Sequence, residues 1–289
     1  MTSDNLLEKV KKLRELTGVG FKDCKNAIDE NKGNIEKSVE FLRKKGIAKA
    51  NKKMERIAAD GLVCIFEKQN KFSMIEVNSE TDFVAKNIEF ITFAEEISQL
   101  ALDKLGKLEN ILISQMKNKK NVKDNLVDLI SKIGEKITIR RSSYLPSEGL
   151  VNFSYMQSTI KKNVGKLGVL LSIDTTKQKN VILNLGKELS MHMAVSSPLA
   201  IDKDGLDSNI LKKEKEIITE ELKNSGKDPK IIDKIATGKL NKFISDNTLL
   251  NQEWIIDPKK KVKNVIKEVA GSDKIIIKKF IRFKVGEGV

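Results

Sequence analysis

The sequence is poor in the residue types on which most enzyme chemistry depends. Its 289 residues include two cysteines, one histidine, one tryptophan and four prolines. The cysteines, Cys24 and Cys64, each sit within an apolar pattern, which excludes a disulfide framework and points to a reducing compartment. A lone histidine, His192, rules out a multi-histidine metal site, although a carboxylate-only site stays open. There is no Gly-x4-Gly-Lys-Ser/Thr loop to cradle phosphate, no Cys-x-x-Cys pair and no His-Glu-x-x-His helix. No Gly-x-Ser-x-Gly elbow supports a nucleophile next to His192. The expectation is a protein that is not an enzyme, with no cofactor and no metal of its own.

Long apolar runs are also missing. No stretch approaches the roughly 18 residues a membrane span needs, and Met1 to Lys12 is polar, without the apolar core of a secretion signal. A cytoplasmic protein that engages no membrane is expected. Aromatic residues make up only 5% of the chain. That scarcity matters because the net charge of +14 would otherwise suggest nucleic acid. Single-strand binders interleave stacking aromatics with basic residues. Here the lysines are spread from Lys9 to Lys284, so no direct nucleic-acid binding is expected, and the positive surface suits an acidic protein partner.

What is present is a regular alternation of helical and strand periodicities, an α+β pattern. The first 46 residues predict three short helices. Leu6, Val10 and Leu13 mark the first; Phe21, Cys24, Ala27 and Ile28 the second; Ile35, Val39 and Leu42 the third. Thr17-Gly18-Val19-Gly20 separates the first two, Gly33 suits a helix C-terminus, and Asn34 caps the next helix. Residues 47–56, rich in lysine and alanine, read as a linker or an exposed helix. Leu62–Glu67 and Phe72–Val77 flank a polar four-residue gap and predict a hairpin. Helical spacing follows at Phe90, Phe93, Ala94, Ile97 and Leu100, then at Val122, Leu126, Leu129 and Ile133, and Ile137–Tyr144 alternates as a strand.

A similar order then recurs: paired strands at Val151–Ile160 and Leu167–Ile173, and a helix over Val181–Val195 ended by Pro198. Residues 208–247 predict an antiparallel helical hairpin. Leu211, Ile218 and Leu222 form one stripe, Ile231, Ile235, Phe243 and Ile244 the other, and Asn224–Pro229 breaks the helix between them. Ile275–Val285 is strand-like and is expected to complete a second sheet. The implied organisation is a three-helix module (1–46), a linker (47–56), a first core unit (57–145) and a second core unit (146–289) carrying the hairpin.

Read from the residues alone, the candidate sites have ordinary explanations. Thr81 or Asp82 caps a helix, with Phe83 stapling that turn to the core. His192 is a partly buried histidine at a helix end, and Arg14, Thr17 and Gly18 shape an inter-helix turn.

Several blocks change that picture. Val10–Lys25, containing Leu16-Thr17-Gly18-Val19-Gly20, resembles the N-terminal signature of the elongation factor Ts family. Ala58-Ala59-Asp60-Gly61 is similar to the opening of that family's core, and Glu76-Val77-Asn78-Ser79-Glu80-Thr81-Asp82-Phe83-Val84-Ala85 matches its most distinctive stretch. Lys132–Arg141, Met191-His192-Met193-Ala194 and Phe280–Gly288 also match, in order, over nearly the whole chain.

The resemblance implies a ubiquitin-associated-like three-helix module, two related α+β core subdomains and a coiled-coil insertion. It implies an exchange factor that binds elongation factor Tu, GDP-bound and nucleotide-free, disturbs its magnesium region and releases GDP. It assigns Thr81, Asp82, Phe83 and Val84 to magnesium dislocation and Met191, His192 and Met193 to the phosphate region. Arg14, Thr17 and Gly18 would meet the nucleotide domain, and the hairpin would reach Tu or a second copy of the chain. Two departures stand out: Met156-Gln157-Ser158 follows Ser154-Tyr155 where family members often carry a His-Gly pair, and a C-terminal helical module found in some members is expected to be missing after Val289.

Overall fold

Glycines and asparagines set the helix boundaries at the N-terminus. In the computed structural model, which describes residues 3–53, 55–223 and 229–289, helix α1 (Ser3–Thr17) stops at Gly18, whose φ of 65° is open to glycine at little cost. Helix α2 (Phe21–Glu30) ends where Gly33, at φ 82°, donates its N–H to the Ile28 carbonyl at 2.8 Å. The Asn34 side chain then accepts the Lys37 N–H at 2.9 Å and caps α3 (Ile35–Lys53). Val10, Leu13, Cys24, Ala27, Ile28 and Leu42 form a small separate core. Val39, expected inside it, is exposed.

Helix α3 does not end with that core. It runs through Gly46, and Ala50 is buried in the main core. Gly46 and Ala50 lie one turn apart on one face, and a Cβ on Gly46 would come within 2.5 Å of Ser131 Oγ. Two small residues at this spacing let α3 lie flat on a later helix. The stretch read as a linker or exposed helix is therefore helical as far as Lys53, with Ala50 packed inward.

Strands β1 (Asp60–Lys68) and β2 (Lys71–Ser79) pair through a two-residue turn at Gln69 and Asn70, both at positive φ (51° and 59°). This is the twist-matched hairpin turn, so the expected four-residue gap is shorter because Lys68 and Lys71 pair. Helices α4 (Asp82–Ala85), α5 (Ile88–Asp103), α6 (Leu108–Ile113) and α7 (Val122–Ile133) follow. Then come β3 (Thr138–Leu145), β4 (Val151–Lys161), β5 (Val164–Thr175) and α8 (Leu183–Ser196). The hairpin helices α9 (Ser208–Lys223) and α10 (Pro229–Asn247), helix α11 (Val262–Ala270) and strand β6 (Ile275–Lys284) complete a mixed α+β chain. The breaker at 224–228, like the side chain of Ile231, lies outside the described residues.

The second sheet expected from the sequence is not separate. All six strands belong to one antiparallel sheet in the order β3-β2-β1-β5-β4, with β6 also on β5. The join is narrow: β1 meets β5 only at Val63–Gly165 and Cys64–Val164, and β6 takes over the same edge of β5 from Leu167 onward. At Gly168 a Cβ would fall 2.7 Å from Met74 Sδ and 2.8 Å from a Val63 methyl, so the missing side chain is what admits the close crossing. Helices α5 and α7 cover the core of one half, containing Phe90, Ile97 and Leu129; α8 and α11 cover the other, containing Leu189, Trp254 and Ile266.

Glu76 of β2 lies in the middle of this arrangement and is completely buried. Its carboxylate accepts from Arg140 Nη1 at 3.0 Å, Arg141 Nε at 2.5 Å, Asn78 Nδ2 at 3.1 Å and the backbone N–H of Gly286 at 3.0 Å. The two arginines continue outward to the carbonyls of Glu287 and Lys284. Replacing Glu76 by Ala leaves Arg140 Nη1, Arg141 Nε and the Gly286 N–H without this acceptor, while each guanidinium keeps its carbonyl partner. Because the arginines remain partly solvated, the expected loss is about 3 kcal/mol, near the lower end for a broken buried pair. Urea unfolding of the Glu76→Ala protein measures it.

Candidate functional site

Two loops that are far apart in sequence lock together beneath α4. Thr81 donates its N–H to Glu135 Oε2 at 3.0 Å and its hydroxyl to Glu135 Oε1 at 2.7 Å. Glu80 accepts the N–H of Lys136 at 2.6 Å and is paired with Arg56 at 3.2 Å. Lys136 Nζ then returns to the Arg56 carbonyl at 2.7 Å, and Ser79 Oγ donates to the Thr81 carbonyl at 2.9 Å. The Lys136 N–H, with Arg56 beside it, holds the Glu80 carboxyl below the usual carboxylate range.

This clamp corrects the simple reading of the turn. Thr81 occupies the N-cap position, but its hydroxyl makes no cap bond because Glu135 takes it. Asp82 pairs with Lys86 at 2.8 Å, and that hydrogen bond lowers its pKa. Phe83 is not a staple. It is 78% exposed, while the next residues, Val84 and Ala85, are buried in the core. The turn thus has an apolar anchor on its inner side and a lone aromatic ring on its outer side.

His192 is placed differently from the expectation. It and Met193 have no accessible surface, and Met191 is half-buried, so direct contact of His192 or Met193 with a partner is corrected in this conformation. The Gln252 amide commits its NH2 to the carbonyls of Ser196 and Asp246 at 3.1 and 2.8 Å. Its oxygen, 2.9 Å from His192 Nε2, must therefore be an acceptor, which assigns the proton to Nε2. Nδ1 faces the N–H of Ile255 at 3.4 Å, and the ring stacks on Trp254 with centroids 5.2 Å apart. The histidine supports the loop that exposes Ile256 (53%).

In the N-terminal module Arg14 is exposed, and Thr17 donates its hydroxyl to the Leu13 carbonyl at 2.7 Å. Gly18 sits beside the Lys132 side chain of α7: a Cβ there would lie 2.8 Å from Lys132 Cε. Thr17 shares a groove of about 470 Å³ with Ile88, Phe93, Leu129 and Lys132. Ile88, 70% exposed, begins the helix that follows the Phe83 turn. The structure thus brings Thr17 to the start of α5, five residues after Phe83. Met191–Met193 belong to the other half of the sheet. No cluster of three or more His, Cys, Asp or Glu side chains suited to a metal occurs among the described residues, and no described helix is long and apolar enough to cross a membrane.

The model of the family described as Elongation factor TS matches residues 80–287. The elongation factor Ts of Methylorubrum populi is 40% identical over 283 residues, covering 97% of this chain and 92% of the relative. That of Bartonella tribocorum is 39% identical with the same coverage. That of Gluconobacter oxydans is 37% identical over 280 residues, covering 97% and 91%. The chain belongs to the elongation factor Ts family.

Membership of the elongation factor Ts family makes this a translation elongation factor chain, and it sharpens what the sequence reading missed. Glu80, Glu135 and Lys136 were visible only as parts of matching blocks and Arg56 only as the end of the 47–56 stretch, with no signal that they clasp one another. Gln252 and Trp254 carried no signal at all, since their significance lies in contact with a histidine 60 residues away. Burial holds the His192 pKa below the usual 6.5, with the Gln252 hydrogen bond opposing more weakly. The sign follows from the unfolded chain, which takes up a proton near 6.5 while the folded ring takes one up only at lower pH. The contribution to stability is complete above 6.5 and declines as pH falls below it. Because this is the only histidine, its NMR ring signals should titrate with a midpoint below 6.5 in the folded protein, and the melting temperature should fall as pH drops below 6.5.

Proposed function

We propose that this chain is a non-enzymatic guanine-nucleotide exchange factor for elongation factor Tu, binding its GDP-bound and nucleotide-free forms in the cytoplasm. The observation that carries the reading is Phe83: a ring 78% exposed on a turn clamped by Glu135 and Glu80. An aromatic side chain held clear of its own core has large apolar area available for a partner pocket. The clamp removes most of the backbone freedom that binding would otherwise have to quench.

In this reading Phe83 and Asp82 enter the partner beside its magnesium, with Thr81 and Val84 fixing their direction. Displacing the magnesium removes charge that held the diphosphate, and GDP leaves. Binding is reciprocal: every tenfold weakening of GDP by the factor is a tenfold weakening of the factor by GDP, about 1.4 kcal/mol. Contacts that form fully only with the empty partner therefore drive release. Arg14, Thr17 and Gly18 add a second contact on the nucleotide domain. Met191 supplies the phosphate-side edge, with His192 and Met193 positioning it from inside. The hairpin of α9 and α10 reaches either Tu or a second copy of the chain. The three-helix module and the two halves of the sheet act as the ubiquitin-associated-like unit and the paired subdomains of the family.

Stopped-flow release of fluorescent GDP from Tu tests the proposal. Wild type should accelerate release in proportion to its concentration. Phe83→Ala should lose at least about tenfold of that acceleration with an unchanged melting temperature, because the ring is outside the core. Glu135→Ala, which only loosens the clamp and leaves the ring in place, should lose about threefold, about 0.65 kcal/mol, less than the full value of about 1.5–3 kcal/mol for a hydrogen bond to a charged group. Acceleration that ignores Phe83 rejects the wedge, and absence of acceleration by the folded protein rejects exchange.

A further inference from the structure

Strand β6 is paired with β5 along one edge. Among the described residues, no backbone hydrogen bond reaches Ile275–Phe280 from the other side. That open stretch borders two adjoining cavities. One, of about 470 Å³, lies between Ile275–Ile277 and α11, with Leu250, Ile266 and Ala270 in its wall and Lys263 and Lys267 also lining it. The other, of about 370 Å³, lies between Ile277–Phe280 and residues 199–202. Ile201, Asp202 and Ile277 line both, so the two form one groove along the strand.

The charges around the groove are unequal. Lys274 and Lys278 are matched by Asp174 at 2.8 and 3.5 Å, and Asp273 by Lys177 at 2.6 Å. Asp202 Oδ1 accepts the N–H groups of Asp204 and Gly205, each at 3.1 Å. Lys263, Lys267 and Lys279 form no ion pair among the described residues. Lysines on an edge strand commonly block pairing. Lys278 and Lys279 are on β6 itself, Lys278 being drawn towards Asp174; Lys263 and Lys267 sit one turn apart on α11, across the cavity from the strand. Their position favours an occupant rather than excluding one.

We propose that this groove is a docking site for an extended acidic segment of a partner protein, which adds as a strand to the free edge of β6. The main chain supplies the pairing, an apolar side chain enters the cavity against Ile266 and Ile275, and flanking carboxylates meet Lys263 and Lys267. The site lies at the end of β6 away from Gly286 and the Glu76 ion cluster, so it is separate from the Phe83 turn and independent of the exchange proposal.

The test uses the full chain and a fluorescein-labelled Asp-Glu-Ile-Glu-Glu peptide, read by anisotropy and by amide shifts in the protein. Saturable binding with shifts concentrated at 275–280 is expected. The double variant Lys263→Glu, Lys267→Glu should bind about tenfold more weakly, as expected for two reversed rim charges. Its melting temperature should be unchanged, because both side chains are exposed. A peptide with Lys in place of each acid should not bind, and one with proline in place of isoleucine should lose the pairing. No binding of the first peptide, or equal binding by the charge-reversed protein, overturns the groove as an acidic-segment site. A peptide retaining isoleucine but N-methylated on its backbone that binds equally well overturns strand addition.

Discussion

The buried carboxylate of Glu76 is the constraint around which the molecule is organised. A charge removed from water requires partners on every side, and here those partners come from β2, β3 and the turn after β6. Arg141 additionally lies over the Phe283 ring at 4.2 Å, joining the ionic cluster to the apolar one beneath it. The last residues of the chain are consequently fixed to strands more than 140 positions earlier. The two halves of the sheet share only two paired positions along β1 and β5, so this cluster carries much of the burden of holding them in register.

Rigidity near the Phe83 turn has the same origin. The strand containing Glu76 leads within a few residues into Glu80 and Thr81, and the strand containing Arg140 is preceded by Glu135 and Lys136. The ion cluster and the loop clamp are thus successive rungs between the same two segments. An exposed aromatic ring has a solvation cost, and a floppy turn would reduce it by folding the ring back onto the surface. With the backbone clasped at Thr81 and Val84 buried, that retreat is closed.

Much of this was readable in the sequence because it depended on local rules. The helix stops at Gly18 and Gly33, the cap at Asn34, the hairpin helices and the alternating strands all follow from short-range backbone chemistry. What escaped depended on long-range geometry. The packing of the helix that runs on to Lys53, read only as a linker or an exposed helix, was obscured because its inward face is Gly46 and Ala50, which give no apolar stripe. The single sheet was read as two because the residues that join it, Val63, Cys64 and Val164, look like any strand interior. At the candidate site, the residue types were evident from the matching blocks, but orientation was not: nothing in the letters of Thr81-Asp82-Phe83-Val84 says which apolar side chain faces outward. His192 escaped for the opposite reason, since its surroundings are assembled from residues 252–255.

Helix α3 also has a metrical consequence. It begins in the small N-terminal core and ends in the main one, as a single rod of 19 residues spanning about 28 Å. Length and phase of this rod together set where Thr17 and Gly18 stand relative to Phe83. Each residue contributes about 1.5 Å of rise and about 100° of rotation. The separation between the two surfaces is therefore quantised: a point substitution leaves it intact, whereas a single inserted residue would swing the whole module to another side of the molecule. The helix is a gauge block, and its tolerance is less than one residue.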